Sequence, residues 1–214
     1  MQGDTIVIED HHHRAAICVA ATLLPKIQLF EGKYTMTVAG ESGAGKSEIA
    51  VAIARHLEVA GIPCVILQQD DYFRLPPKTN DLTRRKDISV SGPQEVRLDL
   101  MSKHLEAFID SEPAIEKPLV IYEDDRIDSE ILELKDARVL IAEGTYTTRL
   151  DHVETRVFID RDYRDTRKHR ERRNRNASEL DEFIDRVLII EHEIISADKA
   201  NADVIINRDY TVGS

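Results

Sequence analysis

A chain of 214 residues has the length of one folded domain carrying at most a small lid. Hydrophobic residues at 42% and charged residues at 32% exclude collagen-like, low-complexity and wholly disordered classes. Twenty-nine basic against forty acidic side chains give a formal net charge of −11, so the surface as a whole repels nucleic acid and anionic lipid, and any anion site must be local.

The N-terminal residues include Asp4, Glu9 and Asp10 in place of a basic stretch, which argues against a secretory leader. Residues 6–8 read as a short edge strand, and residues 14–30 as a helix interrupted by Pro25. The apolar run 15–24 is half of the roughly 20 residues needed to span a bilayer. Cys18 and Cys64 are too few for a disulfide scaffold and are expected to be small buried apolar residues of a cytoplasmic protein. Residues 1–33 are expected to pack on the sheet edge or to serve in assembly of a homo-oligomer, ahead of a main domain over 34–214.

Residues 34–39 form a β-prone run opening into a glycine-rich turn, after which Ile49, Ala50, Ile53, Ala54 and Leu57 recur at helical spacing. Gly61 and Pro63 close that helix, and a short strand over 64–67 ends at Gln68, Gln69, Asp70 and Asp71. A polar, proline-containing stretch runs to about residue 90. Pro93 then suits the first turn of a helix with the stripe Leu98, Met101, Leu105, Phe108 and Ile109. Strands follow at 119–122, 139–142 and 156–159, two helices over 162–199 with a break at 174–178, and a last strand at 202–206. Short apolar strands alternating with amphipathic helices imply an α/β fold, a parallel sheet with helices on both faces.

The chemistry concentrates in four places. Gly40-Glu41-Ser42-Gly43-Ala44-Gly45-Lys46-Ser47 matches the phosphate-loop pattern GxxxxGK[ST], between a strand and a helix as that pattern requires. Its glycines let successive amides turn inward toward a triphosphate, Lys46 reaches the terminal phosphates, and Ser47 completes a magnesium shell. Asp70 and Asp71 follow the next strand, at the sheet end where ligands sit, and strand alternation allows one of them to face the loop. Asp70 is the favoured general base. Glu143, ending the apolar run Val139-Leu140-Ile141-Ala142, is the candidate magnesium-side carboxylate, and Gly144 after it suggests a backbone held close to something. Arg164, Arg167, Lys168, Arg170, Arg172, Arg173 and Arg175 form a cationic segment within an acidic chain, a lid over about 161–177. Arg170 and Arg173, three apart, share a helix face from which to clamp a transferring phosphoryl group. The consecutive His11, His12 and His13 cannot all converge on one ion, and His104 and His192 read as surface or packing residues.

Together these motifs resemble the uridine kinase and phosphoribulokinase-like family of phosphate-loop kinases over residues 34–207. Gln69-Asp70-Asp71-Tyr72-Phe73-Arg74 is similar to the uridine kinase segment whose Asp is the base, and the Glu143-Gly144 strand end, Val157-Phe158-Ile159-Asp160 and Ala202-Asp203-Val204-Ile205-Ile206 also match. The resemblance implies ATP- and magnesium-dependent phosphorylation of a hydroxyl on a small acceptor, most simply uridine or cytidine. It places Phe73 and Tyr122 against the acceptor and Asp87 on ribose hydroxyls. Uridine kinases carry a base-reading histidine soon after that aromatic. Here Glu123, Asp124, Asp125, Arg126, Ile127 and Asp128 follow instead, which keeps another sugar, a sugar phosphate or a polyol as alternative acceptors. An ATP-dependent regulatory switch is the alternative of another class; the chain has neither an Asn-Lys-x-Asp nor an Asp-x-x-Gly segment.

Overall fold

Apolar runs bounded by turn residues become the strands of one central sheet in the computed structural model, which describes residues 6–167 and 181–213. In chain order the elements are α1 (Asp10–Leu29), β1 (Tyr34–Gly40), α2 (Lys46–Val59), β2 (Cys64–Gln68), α3 (Pro77–Lys86), α4 (Leu98–Ile109), β3 (Ala114–Ile121), β4 (Arg126–Glu133), β5 (Val139–Gly144), β6 (Thr155–Ile159), α5 (Glu182–Asp198), β7 (Val204–Ile206) and β8 (Val212–Gly213). The sheet order is β2-β5-β1-β6-β7-β8, parallel through β7 with β8 antiparallel at the edge.

Alternation along β5 shows why helices cover both faces. Val139 and Ile141 join the core beneath α1 and α2, whereas Leu140 and Ala142 join the one beneath α4 with Met101, Leu105 and Phe108. Ile109 of the expected stripe is 38% exposed. Each large apolar side chain so buried stabilises the fold by about 2 kcal/mol.

Several expectations are corrected. Residues 6–8 are not a strand: Ile8 packs on the first core and the chain turns into α1. That helix starts at Asp10 and runs through Pro25, because Pro25 and Ala21, whose carbonyl loses its partner, are both exposed while Leu23 and Ile27 bury alongside. Cys18 is exposed, lying opposite the buried stripe Ala15, Ala16, Val19, Ala20 and Leu23, and Cys64 is half-buried. The polar stretch before residue 90 contains α3, which has only Asn80 buried and so no apolar stripe to read. Pro93 opens a 3₁₀ turn (Pro93–Glu95) ahead of α4. Residues 119–122 do not join the central sheet. They belong to an antiparallel hairpin, β3 with β4, whose second strand is mostly exposed. Among the described residues no helix is long and apolar enough to cross a membrane.

Candidate active site

β1 delivers residues 40–47 to the carboxyl end of the sheet, and α2 begins at Lys46, so its first-turn amides and dipole face the loop. Lys46 Nζ donates to the Glu41 carbonyl at 3.0 Å, and Ala44 N to the same oxygen at 3.1 Å. The parallel register sets Gln68 of β2 and Val38 of β1 on either side of Glu143. Gly144 has to be glycine: at φ +159 a side-chain carbon there would sit 2.2 Å from Gln69 Cβ. That close approach lets Gln69 Oε1 accept from Tyr146 N at 2.7 Å, tying the turn after β2 to the end of β5.

Ser47 Oγ donates to Glu143 Oε1 at 2.9 Å. Glu143 is buried, and burial first, then the nearby Asp70 charge, pushes its carboxyl up to about 7 against the opposing pull of Lys46 and Ser47. Asp70, Glu143, Lys46 and Ser47 therefore share one electrostatic site. Asp71 does not: 1% exposed, it accepts from Lys117 Nζ at 2.8 Å and Val120 N at 3.0 Å and anchors the hairpin to the main body. Asp70 is exposed. A hydroxyl and a carboxylate are hard oxygen donors of the kind magnesium takes, and a cation between them would offset the repulsion that Asp70 imposes on Glu143. The residues present fit that ion.

Two clasps escaped sequence reasoning. His192 of α5 is only half-buried, yet it makes a specific contact: its Nδ1 meets Glu41 Oε1 at 2.6 Å, while Glu41 Oε2 accepts from Tyr163 N at 2.7 Å. The second loop residue is thus tied both to α5 and to the backbone at Tyr163, with its carboxyl raised by burial. His104, read with it as surface or packing, is buried and bonded through Nδ1 to the Tyr72 hydroxyl at 2.7 Å. The second clasp is Arg84 of α3, which forks onto Glu95 at 2.6 and 2.8 Å and reaches Glu191 of α5 at 3.1 Å. Burial raises the Glu191 carboxyl, and the cations of Arg84 and Lys46 oppose it, so this network abuts the phosphate loop. Partners more than 100 residues apart, as Glu41 and His192 are, leave no local pattern to find.

The remaining expected residues are dispersed. Phe73 is half-buried in a bridge with Val96. Asp87 is exposed and accepts from Ser89 N and Oγ at 3.0 and 2.7 Å, capping its own turn. Tyr122 is half-buried at the hairpin turn, where Asp125 accepts from Lys78 N at 2.6 Å and from Thr79 Oγ1 at 2.6 Å, capping α3. Arg170 and Arg173 lie outside the described residues.

A parallel α/β sheet whose first core strand feeds a glycine loop and helix, with a strand-end carboxylate bonded to the loop serine, is the architecture of the phosphate-loop nucleoside-triphosphatase class. A sequence profile of the phosphoribulokinase / uridine kinase family matches residues 35–212, and the chain belongs to that family. Membership implies phosphotransferase activity and the general use of ATP and magnesium. The bifunctional alpha-galactosidase/sucrose kinase AgaSK of Mediterraneibacter gnavus is 29% identical over 210 residues, 90% of this chain and 22% of that protein. The chain thus spans under a quarter of that relative's length. A uridine kinase of Lactiplantibacillus plantarum is 28% identical over 179 residues, covering 79% of this chain and 84% of that one. Among solved structures, a possible uridine kinase from Bacillus stearothermophilus superposes with a TM-score of 0.61 at 14% identity, covering 90% of this chain and 97% of the other.

Proposed function

We propose that this protein transfers the γ-phosphoryl group of ATP to a sugar hydroxyl of a small acceptor. The observation that carries the reading is the convergence of Lys46, Ser47, Glu143 and Asp70 at the mouth of one phosphate loop. The amides of Gly40, Glu41, Ser42, Gly43, Ala44, Gly45, Lys46 and Ser47 bind the polyphosphate, and Lys46 neutralises its terminal oxygens. Ser47 and Glu143 would hold magnesium, which supplies charge neutralisation on the phosphates. Asp70, exposed and unencumbered by the ion pair that fixes Asp71, takes the acceptor hydroxyl proton. Arg170 and Arg173 are assigned to the lid that closes over the transferring group, from their spacing alone.

Two acceptors share this chemistry. A pyrimidine nucleoside, uridine or cytidine, is the reading supported by the relatives that are uridine kinases, with Phe73 and Tyr122 lining the pocket. A free sugar is favoured by two observations: the similarity to a protein with sucrose kinase activity extends over 90% of the chain, and the turn after Tyr122 carries Asp125 spent on capping α3 where a base-reading histidine would be needed. ADP release in a coupled assay, with uridine, cytidine, sucrose, fructose and a sugar phosphate offered in turn, decides between them. Stimulation by the nucleosides alone selects the first and by the free sugars alone the second; ATP turnover indifferent to all of them, yet raised by a protein partner, overturns both in favour of a switch.

A further inference from the structure

Beneath the phosphate loop lies a cluster that the transfer chemistry does not use. His12 of α1 is 1% exposed, and its Nε2 stands 2.9 Å from where a side-chain carbon on Gly45 would be. The Tyr210 hydroxyl, 3.1 Å from that same point, donates to the Ala44 carbonyl at 3.2 Å and accepts from Arg161 at 2.7 Å. The rings of His12 and Tyr210 meet edge to face at 5.1 Å, and the His11 ring packs against both, with centroids 4.0 Å from His12 and 4.3 Å from Tyr210. The Arg161 guanidinium covers the Tyr210 ring at 4.9 Å.

The hydrogen bonds of the cluster form one consistent chain. Glu9 N donates to His12 Nδ1 at 3.1 Å, which assigns the proton of that ring to Nε2. Nε2–H then donates to His11 Nε2 at 3.1 Å, and His11 Nδ1 faces the Glu9 carboxylate at 3.5 Å. Every polar edge is turned to a defined partner, so His12 is held by its own helix terminus and pressed against the loop. Gly45 sits at φ +90, a left-handed conformation open to glycine along with many others, so it is the neighbours that select it. His12 and Tyr210 are those neighbours: one fills the space that glycine leaves open, the other binds the adjoining carbonyl.

We infer that His12 is a positioning residue for the phosphate loop, holding Ala44 and Gly45 together with Tyr210, so that the helix preceding the core strands is a working part of the nucleotide site. The inference rests on reading residues 40–47 as the ATP site. α1 also buries Val19, Leu23 and Ile27, so deleting it would unfold the chain, and point variants of the intact protein are the right probes.

His12→Ala, His12→Gln and Tyr210→Phe are compared with the wild type by calorimetric titration of Mg·ATP, by KM and kcat for basal ADP release, and by melting. His12→Ala is expected to raise Kd and KM for ATP about five- to tenfold, the worth of a contact of roughly one hydrogen bond, with kcat nearly unchanged. His12→Gln, whose amide spans the same gap, recovers most of the affinity. Tyr210→Phe keeps the packed ring, loses the bond to the Ala44 carbonyl and is expected to weaken ATP several-fold, while His12→Gln decides the role of His12 even where His12→Ala fails to fold. Wild-type affinity in the soluble variants overturns the inference, as does a loss of kcat that tracks a lowered melting midpoint. Failure of the wild type itself to bind Mg·ATP overturns the nucleotide reading instead.

Discussion

Asp70 and Asp71 are neighbours in sequence and opposites in environment. Asp71 neutralises a buried Lys117 and accepts a β3 amide, so its carboxylate is committed to holding the hairpin; Asp70 is exposed and within electrostatic reach of Glu143. The two substitutions should therefore separate cleanly. Asp70→Asn should lower kcat by about 10²- to 10⁴-fold, the usual worth of a general base, with Kd for Mg·ATP unchanged. Asp71→Asn should leave turnover at low temperature but cost on the order of 2 kcal/mol of stability, less than a full buried pair because Glu130 still reaches Lys117 at 2.7 Å. Steady-state kinetics and thermal melting check both, and equal kinetic defects in the two variants would remove Asp70 from its role. The sequence allowed one inward carboxylate but could not show what would hold the other, because Lys117 lies 46 residues away on a strand with no visible tie to β2.

At the scale of elements, α4 docks on the turn after β2 through a buried bond between Tyr72 Oη and His104 Nδ1 of 2.7 Å. Burial keeps the tyrosine protonated and favours the neutral ring of His104, so the bond joins two uncharged groups. Burial first, then the Lys117 charge, lowers the His104 value below its ordinary 6.5. The unfolded chain therefore binds a proton near pH 6.5 that the folded chain refuses. Stability from this group is complete above 6.5 and is lost as pH falls from there toward the depressed folded value. Denaturant melts at pH 7.5 and 5.5 should show the wild type weakening at acid pH, and His104→Gln should lose part of that dependence; an unchanged pH profile in the variant would contradict the assignment.

The elements that could be read were those whose burial leaves a local pattern. β2 and β5 carry continuous apolar runs, β1 and β6 are β-prone stretches rich in buried apolar side chains, and α2 and α4 carry stripes that pack on the sheet. α3 buries one polar side chain and is held by Asp125 from the hairpin and by Arg84 to Glu95 and Glu191, contacts that no helical period records. β4 pairs with β3 but turns most of its residues to water, so its sequence reads as a charged loop. Pro25 marked a break that packing on either side of it overrides.

For the whole molecule, a net acidic chain surrounds a site that gathers the Lys46 cation, the oxygen pair of Ser47 and Glu143 and the exposed carboxylate of Asp70. The phosphate loop was legible because its eight residues must be contiguous to wrap a polyphosphate. Its supports were not, because His12, Tyr210, His192 and Arg84 arrive from four different parts of the chain. The loop as an ATP cradle is the point on which everything else depends, and calorimetric titration of the folded chain and its Lys46→Ala variant with Mg·ATP tests it most directly. Saturable heat in the wild type, abolished or weakened at least tenfold in Lys46→Ala, is the expected result. No heat from the folded wild type, or undiminished affinity without the lysine, would contradict it.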